Sequence, residues 1–250
     1  MEKAILITSI KKINEHLNKP DKYDRLYFGS EFCTHMIPGV EELVEVFSLC
    51  EVLNMEFTLV TPFLDESGIG KVAKLLDFLD YKHLYPEILI CDWGMLHYIS
   101  MNFNNKFPLV LGRILAKQKT GPRIEMIRDV LPSAYKSSMK THVDIPVFTE
   151  FLRSMGVERV DLDIPLQGLD VEMPVDFAIS LYYPYTYIST TRRCPIRETG
   201  KCDCNEYSFK LSSGNMPVEL YARGNTVFFK HERLPRLKKN IKYDRIVFQP

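Results

Sequence analysis

The sequence has no excess charge of either sign. Lysine and arginine total 32, and aspartate and glutamate total 32. No strong global field is therefore available to draw in nucleic acid or an anionic membrane. The sequence also lacks any apolar stretch approaching the roughly 20 residues that span a bilayer. Met1, Glu2 and Lys3 lead into a mixed amphipathic segment, not into the apolar core of a signal peptide. The expectation is a cytoplasmic protein with no membrane span. There is no internal repeat and no low-complexity segment. The chain contains no C-x2-C pair, no paired cysteine knuckles and no two histidines at zinc-finger spacing. These absences count against a thioredoxin-like redox pair and against the common structural zinc sites. No serine or cysteine nucleophile stands beside an evident base, so nothing in the pattern signals a protease.

What is present reads as an ordinary globular chain: 250 residues, 46% hydrophobic and 26% charged. A single domain over residues 1–250 is expected. Such a domain buries roughly three quarters of its extended-chain surface and needs no disulfide staples. Apolar strand-like runs alternate with helical periods. The strands are Arg25–Gly29, Glu56–Thr61, Glu87–Cys91, Phe107–Leu111, Val157–Leu162 and Phe177–Tyr182. The helices are Val40–Leu53, Asp65–Tyr81, a segment from Asp92-Trp93-Gly94 to about Asn102, and Ile145–Met155. Ile7, Ile10, Ile13 and Leu17 have helical spacing, although the first few residues also suit a strand. Tyr207–Leu211, Val218–Tyr221, Thr226–Phe229 and Arg245–Phe248 are short strand-like runs. Strands alternating with helices predict an α/β fold with a parallel sheet. The number of strands points to a TIM-barrel-like (β/α) barrel, irregular toward the C-terminus.

Three of the six cysteines, Cys194, Cys202 and Cys204, fall within eleven residues, among Arg192, Arg193, Arg197, Glu198, Lys201 and Asp203. A loop so rich in sulfur and so polar has three explanations: a disulfide, a zinc site or an iron–sulfur cluster. A reducing compartment disfavours the first. Cys33 is the best fourth ligand. It lies just past the strand that ends at Gly29, on the edge where α/β folds build their sites. Three clustered thiolates and one distant one suit a four-cysteine cluster, and the neighbouring Arg and Lys side chains could offset its charge. Cys202 and Cys204 need a bend between them to reach two corners of one cube. Cys91 ends a strand and could replace one of the four, though core packing is its more usual role. Cys50 falls on an apolar helix face and reads as core. His35, two residues from Cys33, could line the site. Asp92, Trp93 and Arg113 follow strands and could touch a substrate, with Arg113 suited to a carboxylate. Asp92, Arg113 and His35 are the catalytic candidates, and each could instead be structural. Residues 223–245 are rich in Lys and Arg. A solvated face is the plain reading, and contact with RNA or a partner the sharper one.

Several segments together resemble, in order, parts of the peptidase U32 family. They are Tyr27-Phe28-Gly29-Ser30-Glu31-Phe32-Cys33, Asp92-Trp93-Gly94, Phe107-Pro108-Leu109-Val110-Leu111-Gly112, the loop with Cys194, Cys202 and Cys204, Gly224-Asn225-Thr226, and Asp244 to Pro250. The chain is similar to a short member of that family, nearest in character to the iron–sulfur proteins of oxygen-independent ubiquinone hydroxylation. The resemblance implies a TIM-barrel-like fold and a [4Fe–4S] cluster on Cys33, Cys194, Cys202 and Cys204. It also implies an enzyme or enzyme subunit that hydroxylates a quinone precursor or an RNA base without dioxygen, with a second U32-like subunit as a partner. Two other functions stand beside it: a non-catalytic, cluster-bearing electron-transfer or scaffold subunit, and a zinc-stabilised RNA-binding module.

Overall fold

Strands that are apolar along their whole length must be covered on both faces, and a barrel wrapped in helices does this. In the computed structural model, eight largely buried strands close into a parallel barrel. They are β1 (Glu2–Ile7), β2 (Arg25–Gly29), β3 (Glu56–Val60), β4 (Glu87–Ile90), β5 (Leu109–Leu111), β6 (Val157–Leu162), β7 (Ala178–Tyr183) and β12 (Arg245–Phe248). The circuit runs in chain order, and β12 sits between β7 and β1 to complete it. The helices between strands are α1 (Ile10–His16), α2 (Val40–Leu53), α3 (Glu66–Tyr81), α4 (Trp93–Asn102), α5 (Arg113–Ala116), α6 (Arg123–Ile127) and α7 (Pro146–Ser154). The structure describes residues 1–17, 22–116, 118–127, 129–132, 140–169, 171, 177–194, 208–212, 214–235, 237 and 241–250. Among these, no helix is long and apolar enough to cross a membrane.

The irregularity lies before the last barrel strand. A four-stranded antiparallel sheet intervenes between β7 and β12. It comprises β8 (Tyr185–Thr190), β9 (Ser208–Leu211), β10 (Leu220–Arg223) and β11 (Thr226–Lys230), in the order β8-β11-β10-β9. The cysteine-rich segment therefore joins β8 and β9, the two outermost strands of this sheet.

The segment from Ile5 to Leu17 is not one helix. Ala4 to Ile7 belong to β1, flanked by β2 and β12, and helix begins only at Ile10. Ala-Ile-Leu-Ile has no period of its own, and parallel pairing on both sides decides its state.

Strand alternation sends one set of side chains inside the barrel: Ala4, Leu6, Tyr27, Val60, Leu89, Cys91, Val110, Tyr182 and Val247. The opposite set, including Ile5, Leu26, Phe28, Ile88, Leu111 and Leu181, packs with the helices. At the N-terminal end the interior closes with charge. Arg245 donates to Glu87 at 2.7 and 3.0 Å, to Glu2 at 2.6 Å and to the Tyr27 hydroxyl at 2.7 Å. Arg25 joins the same two glutamates. Arg245 thus departs from the solvated-face reading of residues 223–245. Its alternate position on β12 points it into the barrel floor, where it is 1% exposed.

Candidate functional site

The C-terminal edge of β2 makes a sharp exit. Gly29 has φ of 124°, and a Cβ there would come within 2.4 Å of the Val60 carbonyl oxygen, so only glycine fits. The turn carries Ser30, Glu31, Phe32 and Cys33 across the barrel mouth. The Ser30 hydroxyl accepts from the Phe32 amide at 3.3 Å. Cys33 is 9% exposed, and a short 3-10 turn from Thr34 to Met36 follows it.

Cys194 arrives from the other direction, four residues after β8 ends. The turn between β10 and β11 ties the two cysteine segments together. Asn225 donates one amide hydrogen to the Phe32 carbonyl at 2.7 Å and another to the Thr191 carbonyl at 2.6 Å. The Thr191 amide returns a bond to the Asn225 carbonyl at 3.0 Å. Gly224, with φ of 57°, makes this turn. A single side chain thus bridges the loops before Cys33 and before Cys194. Asn225 has no place among the sequence candidates. Its position in the turn sequence Gly-Asn-Thr is the one signal that could have found it.

Cys33 and Cys194 line a cavity of about 350 Å³, with His35, Asp65, Arg192 and Arg193 also on its walls. Phe32 and Phe63 supply its apolar surface, and the Arg192 guanidinium lies 5.7 Å from the Phe63 ring centre. Among the described residues, neither cysteine is in a disulfide. Cys202 and Cys204 lie outside the described residues. Among the described residues, no three His, Cys, Asp or Glu side chains converge as a metal site. The donor chemistry that is present, two thiols with two arginines beside them, suits a soft metal or a negatively charged metal–thiolate group.

Beneath this cavity the barrel holds a buried ion triad. Arg113 donates through Nη1 to Asp163 at 2.9 Å and through Nε to Glu31 at 3.1 Å, and Nη2 makes a further short contact with Glu31. Its guanidinium carbon stands 3.6 Å from the Tyr182 ring centre. All three charged side chains are almost completely buried. Burial opposes the charge on Arg113, but Asp163 and Glu31 hold its pKa well above the ordinary value. Burial lifts Asp163 to about 6 against the pull of Arg113, which leaves it ionised at neutral pH. The guanidinium that suited a substrate carboxylate therefore already has two carboxylates of its own. Glu31 and Asp163 were not singled out from the sequence. Asp161 near the end of β6 and Asp163 just past it flank the apolar Leu162, which was the available sign.

Asp92 caps α4. Its carboxylate accepts from the Met95 amide at 3.1 Å and the Leu64 amide at 3.2 Å, so both oxygens serve backbone donors. Trp93 is 39% exposed and packs edge-on against Phe148 and Phe151. Cys91 lies inside the barrel, and its thiol points to Glu31 at 3.9 Å. Burial first, then the Glu31 charge, pushes this thiol well above the usual range and keeps it protonated. That environment is unlike the one that yields a ligating thiolate. Cys50 is buried on the inner face of α2, where burial raises its thiol to about 12.

No family model matches the sequence, and no curated protein matches it. A solved structure does: that of the U32 peptidase Mk0906, with a TM-score of 0.52 and 10% identity. The match covers 100% of this chain and 92% of that one. Over its whole length, the chain has the fold of a U32 peptidase structure, a closed α/β barrel of eight parallel strands.

Proposed function

We propose that this protein carries a [4Fe–4S] cluster on Cys33, Cys194, Cys202 and Cys204, and that it serves oxygen-independent hydroxylation of a quinone precursor or an RNA base, as an enzyme or enzyme subunit. One observation carries the reading. Two cysteines 161 residues apart in sequence line one cavity at the barrel mouth, and a single asparagine ties their loops together. The chemistry of the donor set fits such a group. Thiols are present, Arg192 and Arg193 oppose the charge that four thiolates bring, and the Phe32 and Phe63 rings limit water on one side.

When bound, the cluster would supply one-electron chemistry. The chain's own residues do the rest. Asn225 fixes the separation of the two cysteine loops. Phe32 and Phe63 exclude water from one side. The Arg113 triad anchors Glu31, two residues before Cys33. His35, exposed at the cavity wall, is placed to exchange a proton with a bound molecule.

After anaerobic reconstitution, Cys33→Ser and Cys194→Ser are each expected to lose more than about half of the iron bound by the unmodified chain, as removal of one of four thiolates requires. Cys50→Ala should keep its iron, because Cys50 lies in the core of another part of the barrel. Equal iron in all three variants would remove these cysteines from the ligand set. Hydroxylation is checked separately by mass spectrometry of quinone intermediates and RNA nucleosides from anaerobic cells lacking the protein. Loss of one hydroxylated species is expected. Unchanged pools of both would sink the hydroxylase reading and leave a cluster-bearing subunit.

A further inference from the structure

The chain between β5 and α7 is fastened to the barrel at both ends. Gln118 exchanges two bonds with the Asp163 backbone, at 2.8 and 3.2 Å, and the Thr120 hydroxyl donates to the Tyr187 carbonyl. At the other end, the Thr141 hydroxyl donates to the Ala116 carbonyl at 2.7 Å. These anchors hold the segment at the C-terminal edge of the parallel barrel, the same end as Cys33.

Between the anchors lies α6, and none of its residues is buried. Its backbone continues for a turn, with the Val130 and Leu131 amides both donating to the Ile127 carbonyl at 3.1 Å. Met126 is 60% exposed, Ile127 46% and Val130 80%. Three large aliphatic side chains thus stand in water within one short stretch, on an element that adds nothing to the core. Single exposed apolar residues are ordinary, but a cluster of them marks a contact surface. A second apolar group lies along the same rim. Trp93 starts α4 just past β4, touches Phe148 and Phe151 of α7, and stays partly exposed. Val147, the neighbour of Phe148, is exposed as well.

Charge distinguishes what could cover this rim. The chain has no net charge, but residues 117–144 carry six bases, Lys117, Lys119, Arg123, Arg128, Lys136 and Lys140, against three acids, Glu125, Asp129 and Asp144. A second copy packed about a two-fold axis would bring this positive segment against itself. Single-stranded RNA would meet the bases, but the aliphatic side chains of α6 offer no ring for nucleobases to stack on. An anionic bilayer matches both features. Its headgroups attract the bases, and its acyl boundary accepts the aliphatic side chains. Tryptophan favours the same boundary.

We propose that the rim formed by α6 and the starts of α4 and α7 docks on an anionic membrane surface, with Met126, Ile127 and Val130 inserted among the headgroups. The end of the barrel that carries the cysteine cavity then lies at the lipid surface. The purpose of this docking rests on the hydroxylase reading and narrows it, because an apolar quinone precursor partitions into a membrane and an RNA base does not. The docking itself needs no cluster.

Vesicle flotation of the full chain, prepared without added metal, tests this. The chain should float with vesicles of phosphatidylcholine and phosphatidylglycerol but not with phosphatidylcholine alone, and high salt should release it. Trp93 is the single tryptophan of the chain, so its emission reports on the rim directly. That emission should move to shorter wavelength as vesicles bind. Met126→Ser combined with Val130→Ser should weaken binding about tenfold or more, the factor expected when two aliphatic side chains are withdrawn from an apolar phase. Both side chains are exposed, so urea denaturation should show an unchanged fold. Val52→Ser, on α2 and as exposed as Val130, should bind like the unmodified chain. Cys194→Ser should also bind normally, which separates failure here from failure of the cluster. The proposal is overturned if anionic vesicles do not bind at low salt, if the doubly substituted chain floats as well as the unmodified one, or if Trp93 emission does not move. It is equally overturned if an RNA oligonucleotide binds and vesicles do not, or if the double substitution abolishes a dimer and leaves flotation intact.

Discussion

Arg113→Met is expected to destabilise the protein by about 3–5 kcal/mol, the usual cost of removing one member of a buried ion pair. The size follows from what the substitution strands. Glu31 and Asp163 are both almost fully buried and both depend on this guanidinium. Without it, two carboxylates face each other in the barrel mouth, with only the weak Cys91 S–H donor on Glu31 and the Tyr187 amide on Asp163 at 3.1 Å. The stacking of Arg113 on Tyr182 is lost as well. The expected cost is a large share of a typical total stability of about 5–15 kcal/mol. Urea denaturation measures it directly. The combined replacement Arg113→Met, Glu31→Gln and Asp163→Asn should recover part of the loss, because it leaves no charge stranded. A change under about 0.5 kcal/mol for Arg113→Met, the range of an ordinary surface substitution, would show that the triad is not what holds the mouth.

Asp161→Asn is expected to stabilise the protein, increasingly so as pH rises. Asp161 points into the barrel, and neither carboxylate oxygen has a hydrogen bond of normal geometry among the described residues. Burial raises its pKa from 3.8 to about 7, with the Arg245 charge pulling the other way and Glu31 reinforcing the rise. The sign follows from proton counting. Between these two values the folded chain holds a proton that the unfolded chain has released. Stability from this group is full below about pH 4, falls as pH rises toward 7, and levels off above that. At 1.36 kcal/mol per tenfold step, the gap amounts to about 4 kcal/mol as a ceiling. Asparagine is neutral throughout and carries no such loss. The stability difference between Asp161→Asn and the unmodified chain should therefore grow from about pH 4 to about pH 7 and then stay constant. A difference that is flat with pH would mean that Asp161 is ionised and paired in the fold. Glu87 and Asp244 oppose this trend, since the arginines beside them lower both. The comparison of the two proteins cancels their contribution.

The barrel was legible because parallel strands covered on both faces leave unbroken apolar runs. Glu87–Ile90 is read this way directly. The chain's start was not, because Ala4 to Ile7 fit either state and only pairing with β2 and β12 settles the matter. β9, β10 and β11 of the small sheet were visible as strand-like runs, but β8 and the antiparallel order around β11 were not, since β8 and β11 are far apart in sequence. The same distance hid the ion triad. Arg113 stood out as a strand-end residue, yet Glu31 lies 82 residues before it and Asp163 fifty after it. Asp92 looked like a substrate contact because the end of a strand and the cap of the next helix are the same position. Cys33 and Cys194 were recognisable by residue type and setting. What brings them to one cavity is Asn225, whose role appears only once the turn between β10 and β11 is placed over the barrel.

The most direct test of the account is metal and sulfide analysis of the anaerobically purified chain, together with its visible spectrum. The account requires a brown protein with about four irons and four sulfides per chain, the content of a cubane held by four thiolates. A colourless protein with one zinc and no sulfide would contradict it, and would leave Cys33 and Cys194 as part of a structural metal site.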